Sequence, residues 1–232
     1  MKAGDISKGK VCAIIVAAGE SQRMEGTDKI LAILGGKPVL SWSIEAFENS
    51  SNVDRIVLVN SQKNKDTVQC LVIDHKWTKV AEVCTGGQRR QDSVAAGLAL
   101  VHGCEWVIIH DGARPFITRD LIDRGLVAAL ETGAAVAAVP VTDTIKVAGD
   151  DHFVVETPPR SALWAAQTPQ IFRFDIIREA YRKSSGEATD DAALVEQIGY
   201  RVKLYPGAYE NIKITTPRDL EIAELWLKGH GQ

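Results

Sequence analysis

The sequence predicts an α/β fold in which a mostly parallel sheet carries helices on both faces. Three observations predict it. Short, continuously apolar runs alternate with longer segments that read as helices. Those runs show no polar/apolar alternation, so each strand is expected to be buried on both faces, the condition of a parallel sheet covered on two sides. The chain has 232 residues, 45% hydrophobic and 25% charged, which suits one large domain over residues 1–232 better than two small ones.

The elements follow in order. Residues 11–16 (VCAIIV) read as a buried strand, and residues 38–47 as a helix with Pro38 at an allowed first-turn position. Residues 55–59 (RIVLV) form a strand and residues 65–74 a helix. Residues 80–84 are a strand, and residues 91–101, rich in Ala and Leu, a helix. Residues 106–109 (WVII) are a strand ending in His110-Asp111-Gly112, residues 119–131 a helix, and residues 134–139 an apolar strand. The pattern breaks after Pro140. Residues 141–159 hold two β-prone pieces, near 144–147 and 153–156, around the polar turn AGDD, which reads as an inserted β-hairpin arm at about 141–160. Its apolar content is modest, so packing on a partner chain is expected. Helices near 174–183 and 190–197, a strand at 201–205 and a last helix at about 217–227 complete the chain.

Composition excludes several functions. The formal net charge of −3 argues against a general nucleic-acid or anionic-membrane surface, so any polyanion must meet a local cluster of cations. No stretch is apolar enough to span a bilayer, and the first ten residues, MKAGDISKGK, lack a signal-peptide core, so a cytoplasmic location is expected. The four cysteines, Cys12, Cys70, Cys84 and Cys104, are widely spaced and form no CxxC pair. Cys12, Cys70 and Cys104 sit in or beside apolar runs, and the cysteines are expected to be small buried hydrophobes.

Four constellations can carry chemistry. After the first strand, Ala17-Ala18-Gly19 leads through Ser21 to Arg23 and Lys29, where small residues let backbone N–H groups approach an anion and two cations can neutralise it. This fits a nucleotide triphosphate, yet the loop is neither GxxxxGK[ST] nor GxGxxG. The plainer alternative is a βα loop with solvated cations. Gly86-Gly87-Gln88 after the 80–84 strand permits close approach to a base or phosphate, with Ser93 near a helix start; alternatively Ser93 or Asp92 serves that helix N-terminus. Asp111 follows a buried strand, a common place for a Mg²⁺-associated or ribose-binding group, and Arg114 can hold a phosphate bidentately; alternatively the two pair with each other. The fourth is distributed over Thr144, Lys146, Arg160, Thr168, Thr189 and Lys213, with Lys213 between Ile212 and Ile214 on an expected strand.

Together, AAGESQRM, Lys29, GGQRRQDSV, HDGARPF, PVTDTIK, TPQIF, TDDAALVE and ENIKIT, in this order from Val11 to about Leu225, resemble the 2-C-methyl-D-erythritol 4-phosphate cytidylyltransferase family. The resemblance implies a Rossmann-like sheet of the nucleotide-diphospho-sugar transferase type. It also implies transfer of CMP from CTP to methylerythritol phosphate with release of pyrophosphate, supported by Mg²⁺ or another divalent cation on the triphosphate, in the non-mevalonate isoprenoid route. By motif, Arg23 and Lys29 resemble the cations of the transition state and Ala17, Ala18 and Gly19 the CTP cradle. Gly87, Gln88 and Ser93 resemble the cytosine-reading loop, and Asp111 the acid near metal and ribose. Lys213 and Arg160, counted with Arg23 and Lys29 as catalytic, resemble the groups that place the methylerythritol phosphate, helped by Arg114, Thr144, Thr168 and Thr189. The family's hairpin crosses a homodimer, so Arg160 is expected to serve the neighbouring subunit. No nucleic-acid or membrane partner is implied. One departure is Asp28, which stands where relatives often carry proline and could weaken the field of Lys29 or compete for Mg²⁺. Two alternatives stay open: a cytidylyltransferase for ribitol 5-phosphate or another polyol phosphate, and a non-catalytic nucleotide-binding module.

Overall fold

A computed structural model describes residues 9–19, 28–183 and 186–229. Its first part comprises strand β1 (Val11–Ala17), a small hairpin of β2 (Ile33–Leu34) and β3 (Lys37–Pro38), helix α1 (Val39–Glu48), β4 (Arg55–Asn60), α2 (Lys65–Asp74) and β5 (Val80–Thr85). Then come α3 (Arg90–Leu98), β6 (Trp106–Asp111), α4 (Arg119–Thr132) and β7 (Ala134–Pro140), followed by a second hairpin of β8 (Val147–Ala148) and β9 (Val154–Glu156). The remainder is β10 (Trp164–Arg173), α5 (Phe174–Lys183), α6 (Asp191–Gln197), β11 (Lys203–Pro206) and α7 (Pro217–Gly229).

One seven-stranded sheet has the order β11-β7-β10-β6-β1-β4-β5. Strands β6, β1, β4 and β5 run parallel to one another, as do β11 and β7. The continuous apolar runs have the physical origin expected of them. On β1, Ala13 and Ile15 enter the core beneath α1 and α4, while Cys12 and Ile14 enter the core beneath α3 and α5; Ile108 and Ile109 of β6 divide in the same way. Both faces of β1 and β6 are dry, so no polar alternation is tolerated there.

Local signals set the helix ends. Thr118 Oγ1 accepts the Leu121 N–H at 3.2 Å to open α4, and Gly133, in the left-handed region at φ 79°, closes it. Asp190 accepts the Ala193 N–H at 2.9 Å to open α6.

The mostly parallel sheet is borne out, with one addition absent from the expected elements: strand β10 runs antiparallel to both β6 and β7. Two expectations are corrected. The segment carrying Lys213 is not a strand, although Ile214 N–H reaches the Ala113 carbonyl at 2.8 Å. Cys70 is exposed on the outer side of α2, whereas Cys12 and Cys104 are buried as expected.

Candidate active site

The carboxyl ends of β1 and β6 lie side by side, with Val16 opposite Asp111, which is where parallel sheets collect ligands. A first cavity opens there. Ala17, Gly19 and Lys29 line one side, Gly87, Gln88 and Ser93 the facing side, and Arg90, Asp111 and Lys213 the floor. The two loops touch closely. A Cβ placed on Gly86 would sit 2.4 Å from Ser93 Oγ and 2.5 Å from Ala18 Cβ, so only glycine admits this approach. At the start of α3, Asp92 accepts the Arg89 N–H at 3.1 Å. Asp92 therefore serves the helix terminus, while the buried Ser93 hydroxyl donates to the Arg89 carbonyl at 3.2 Å under the loop.

Lys29 points its ammonium towards Gly19, where an added Cβ would lie 3.5 Å from Nζ. Its neighbour Asp28 closes the turn that presents it. The Asp28 carboxylate accepts Asn64 Nδ2 at 2.5 Å and the Ile30 N–H at 3.1 Å, and its carbonyl accepts the N–H groups of Leu31 and Ala32. Arg23 and Ser21 lie outside the described residues.

Asp111 is the electrostatic hub. Its carboxylate meets Lys213 Nζ at 2.8 Å, Arg90 Nε at 3.1 Å and Arg114 Nε at 3.8 Å. Burial alone would raise its carboxyl, but the charges of Arg90, Lys213 and Arg114 outweigh burial and hold it far below the ordinary carboxylate range. Behind it, Arg90 forks to Asp191 at 2.7 Å, and Tyr181 donates to Asp191 at 2.5 Å. Burial pushes the Asp191 carboxyl up, while Arg90 and Tyr181 offset part of that rise. Three cations thus face two carboxylates, leaving one positive charge in a largely dehydrated place.

A second cavity adjoins the first and shares its floor residues. Arg114, Gln167, Thr168, Gln170, Thr189 and Asp190 line it, and Arg90, Asp111 and Lys213 are common to both cavities. The register of β10 slips between Ala166 and Gln170, and this irregularity turns Thr168 towards β6. His110 is drawn down to about 4 by burial and is neutral at pH 7. Its Nε2–H donates to the Arg114 carbonyl at 3.2 Å, so Nδ1 accepts the Thr168 hydroxyl at 3.0 Å. Thr168 Oγ1 in turn accepts the Asp111 N–H at 3.1 Å. Arg114 donates to the Asn211 carbonyl at 2.7 Å, while its Nε is buried without a hydrogen-bond acceptor. Asn211 Nδ2 ties the Lys213 segment to the Thr168 carbonyl at 2.8 Å.

The structure therefore brings Ala17, Gly19, Lys29, Gly87, Gln88, Ser93, Asp111 and Lys213 together at the first cavity, and Arg114, Thr168 and Thr189 at the second. Ala18 is buried and lines neither. Thr144 and Arg160 are exposed beside the β8–β9 hairpin and line neither; Arg160 donates to the Thr142 carbonyl at 2.7 Å. Sequence reasoning gave no role to Arg90, Asp191 or Asn211. The signal for Arg90 was the Arg-Arg pair at the start of α3, of which Arg89 alone sits at the i,i+3 spacing that pairs it with Asp92. Among the described residues no group of three or more His, Cys, Asp or Glu side chains could hold a metal ion.

Comparison with known proteins follows the same lines. A family model described as 2-C-methyl-D-erythritol 4-phosphate cytidylyltransferase matches residues 11–229. A protein of that name from Dehalococcoides mccartyi is 51% identical over 219 residues, 94% of this chain and 96% of the relative. One from Caldanaerobacter subterraneus is 46% identical, covering 94% of this chain and 99% of the relative. Among solved structures, the 4-diphosphocytidyl-2C-methyl-D-erythritol synthase of Anaerococcus prevotii superposes with a TM-score of 0.85 at 31% identity, over 94% of this chain and 98% of that one. The cytidylyltransferase of Thermus thermophilus gives 0.76 at 32% identity, over 94% and 99%. With the match running from β1 to α7 and through both cavities, the chain belongs to the 2-C-methyl-D-erythritol 4-phosphate cytidylyltransferase family.

Proposed function

We propose that this protein transfers CMP from CTP to 2-C-methyl-D-erythritol 4-phosphate, giving 4-diphosphocytidyl-2-C-methyl-D-erythritol and pyrophosphate in isoprenoid biosynthesis. The observation that carries the reading is the shared floor. Two adjoining cavities share Arg90, Asp111 and Lys213, as a reaction joining two phosphorylated substrates requires. An acceptor phosphate oxygen bonds to the α-phosphorus of CTP while the bond to the bridging oxygen breaks, and pyrophosphate leaves with that electron pair. Two anions must meet, so the protein's main work is positioning and charge stabilisation.

The first cavity is the CTP side. Backbone groups of Ala17 and Gly19 cradle the triphosphate, and Lys29 with Arg23 carries the charge that develops around the α-phosphorus. Gly87, Gln88 and Ser93 read the cytosine. The second cavity is the acceptor side, with Arg114, Thr168, Thr189 and Lys213 around its phosphate. The buried Arg114 Nε without an acceptor supports this, since an anion beside it relieves an unsatisfied donor. One carboxylate, Asp111, reaches the shared floor at the triphosphate side. That donor set fits a Mg²⁺ held mainly by CTP phosphates with Asp111 as its protein ligand, and such an ion neutralises the triphosphate when bound.

The working unit in this reading is a homodimer. The β8–β9 hairpin exposes Phe153, Val154 and Val155, 58% or more of each, and carries no core of its own. Arg160, beside it, is offered to the partner's second cavity. No described helix is long and apolar enough to cross a membrane, and a cytoplasmic enzyme is the setting proposed. The test is pyrophosphate release from CTP and Mg²⁺ with a panel of polyol phosphates and with the other nucleotides. Methylerythritol phosphate with CTP is expected to turn over best. Preferred turnover of ribitol 5-phosphate, or tight CTP binding with no release, overturns the proposal.

A further inference from the structure

Arg90 stands between two carboxylates and lines both cavities, yet the reading above gives it nothing to bind. The accessibility of the hub explains what it does. Of the three cations on Asp111, Lys213 is the most exposed, with 35% of its side chain accessible, against 29% for Arg90 and 13% for Arg114. Lys213 is also a single flexible ammonium, able to turn from one anion to another. Arg90 cannot turn. Its planar fork is gripped from both sides, by Asp111 at Nε and by Asp191 at the terminal nitrogen. Asp191 is 1% exposed and is itself held by Tyr181.

A phosphate arriving on the acceptor side draws Lys213 away from Asp111. Without Arg90, that move would leave the buried carboxylate with the longer Arg114 contact at 3.8 Å as the last of the three, beyond hydrogen-bond range, and Asp111 would hold the lysine back. We propose that Arg90 is a positioning residue of this reaction: anchored by Asp191, it keeps Asp111 charge-paired and thereby frees Lys213 to take the incoming phosphate. Asp191 lines neither cavity, and its ion pair with Arg90 is its direct side-chain contact with a residue that lines both. The inference rests on the assignment of the second cavity to the acceptor.

The test separates position from stability. Arg90→Gln alone strands Asp191 as an unpaired buried carboxylate and is expected to destabilise the chain. The double variant Arg90→Gln/Asp191→Asn removes that stranded charge. It is expected to recover most of the melting temperature lost in the single variant, to bind CTP within about threefold of the original chain, and to stay at least about tenfold down in kcat/KM for the polyol phosphate. Asp191→Asn alone keeps every cation in place, and is expected to lose only about threefold in the same parameter with CTP affinity unchanged. A folded double variant with unaltered kcat/KM for the acceptor would sink the inference. So would a loss of CTP affinity as large as the loss of turnover, which would assign Arg90 to the base loop. Should the double variant fail to fold, Asp191→Asn decides alone: unchanged kcat/KM for the acceptor overturns the proposal. If the original chain does not turn over CTP with methylerythritol phosphate, the functional reading fails first, and that failure is seen before any variant is made.

Discussion

Strands β1, β4, β5 and β6 end together at one edge of the sheet, whereas β10 passes that edge in mid-strand and in the opposite direction. The two halves build their parts of the site differently. In the parallel half, strand ends release loops, and Gly19 and Gly87 present backbone to the first cavity. In the antiparallel half no loop is available at that point, so an irregular register delivers side chains instead: Gln167, Thr168 and Gln170. On the proposed reading, backbone suits a triphosphate, which is the same in every nucleoside triphosphate. Side chains suit an acceptor whose hydroxyls must be told from those of similar polyols.

The comparison breaks most visibly at Lys29. On the proposed reading its ammonium acts on charge developing around the α-phosphorus. Lys29→Ala is therefore expected to lower kcat by about 10²–10³ while CTP affinity falls far less. Pyrophosphate release under saturating CTP measures it. Unchanged kcat with a raised KM for CTP would reduce Lys29 to a ground-state contact and remove the functional contrast between the halves.

A second test asks whether the acceptor half is complete in one chain. Arg160 lines neither cavity here. Arg160→Ala and Lys29→Ala proteins, each inactive alone, are expected to regain turnover when mixed into verified heterodimers, because one of the two sites then holds both native residues. Verified heterodimers without activity would confine Arg160 to its own chain.

The halves also differ in how far the sequence discloses them. Ile14, Ile15, Ile108 and Ile109 sit in unbroken apolar runs because both faces of their strands are covered, and such runs read directly as parallel strands. The glycine-containing loops at their ends are local, so the first cavity was legible motif by motif. Strand β10 was not. Its Trp164–Arg173 segment contains Thr168-Pro169, and proline lacks the ladder donor and argues against an interior strand. The pairing that places Arg90 is longer in range still. Its partners lie 21 and 101 residues away, while adjacent Arg89 takes the nearby Asp92. The dipeptide shows which residue types are present and not which arginine turns inward. Lys213 misled through its neighbours: Ile212 and Ile214 pack on a small core with α7, which imitates strand alternation in an extended loop.

Thr168→Val sharpens the contrast at smaller amplitude. The change keeps shape and removes the hydroxyl that joins the Asp111 N–H to His110 Nδ1. Leaving those buried groups unsatisfied costs about 1–3 kcal/mol, which corresponds to between about fivefold and about 150-fold in whatever depends on the Asp111 position. The KM for the polyol phosphate is expected to rise while CTP affinity holds. Equal losses for both substrates would mean that the two cavities respond as one.

Asp28 gives the smallest expected effect and concerns the parallel half alone. Its carboxylate is engaged by the Ile30 N–H on the turn that carries Lys29 and by the Asn64 amide between β4 and α2, so its work is to close that turn and tie it to the neighbouring connection. Asp28→Asn keeps an acceptor for Ile30 and sets two amides against each other at Asn64, a loss of about 1 kcal/mol in stability. The Mg²⁺ concentration for half-maximal turnover is expected to stay where it is, and kcat to change by less than about threefold. If Asp28 instead competed for the metal, the variant would reach half-maximal turnover at a lower Mg²⁺ concentration. That titration would reassign Asp28 from the turn to the triphosphate.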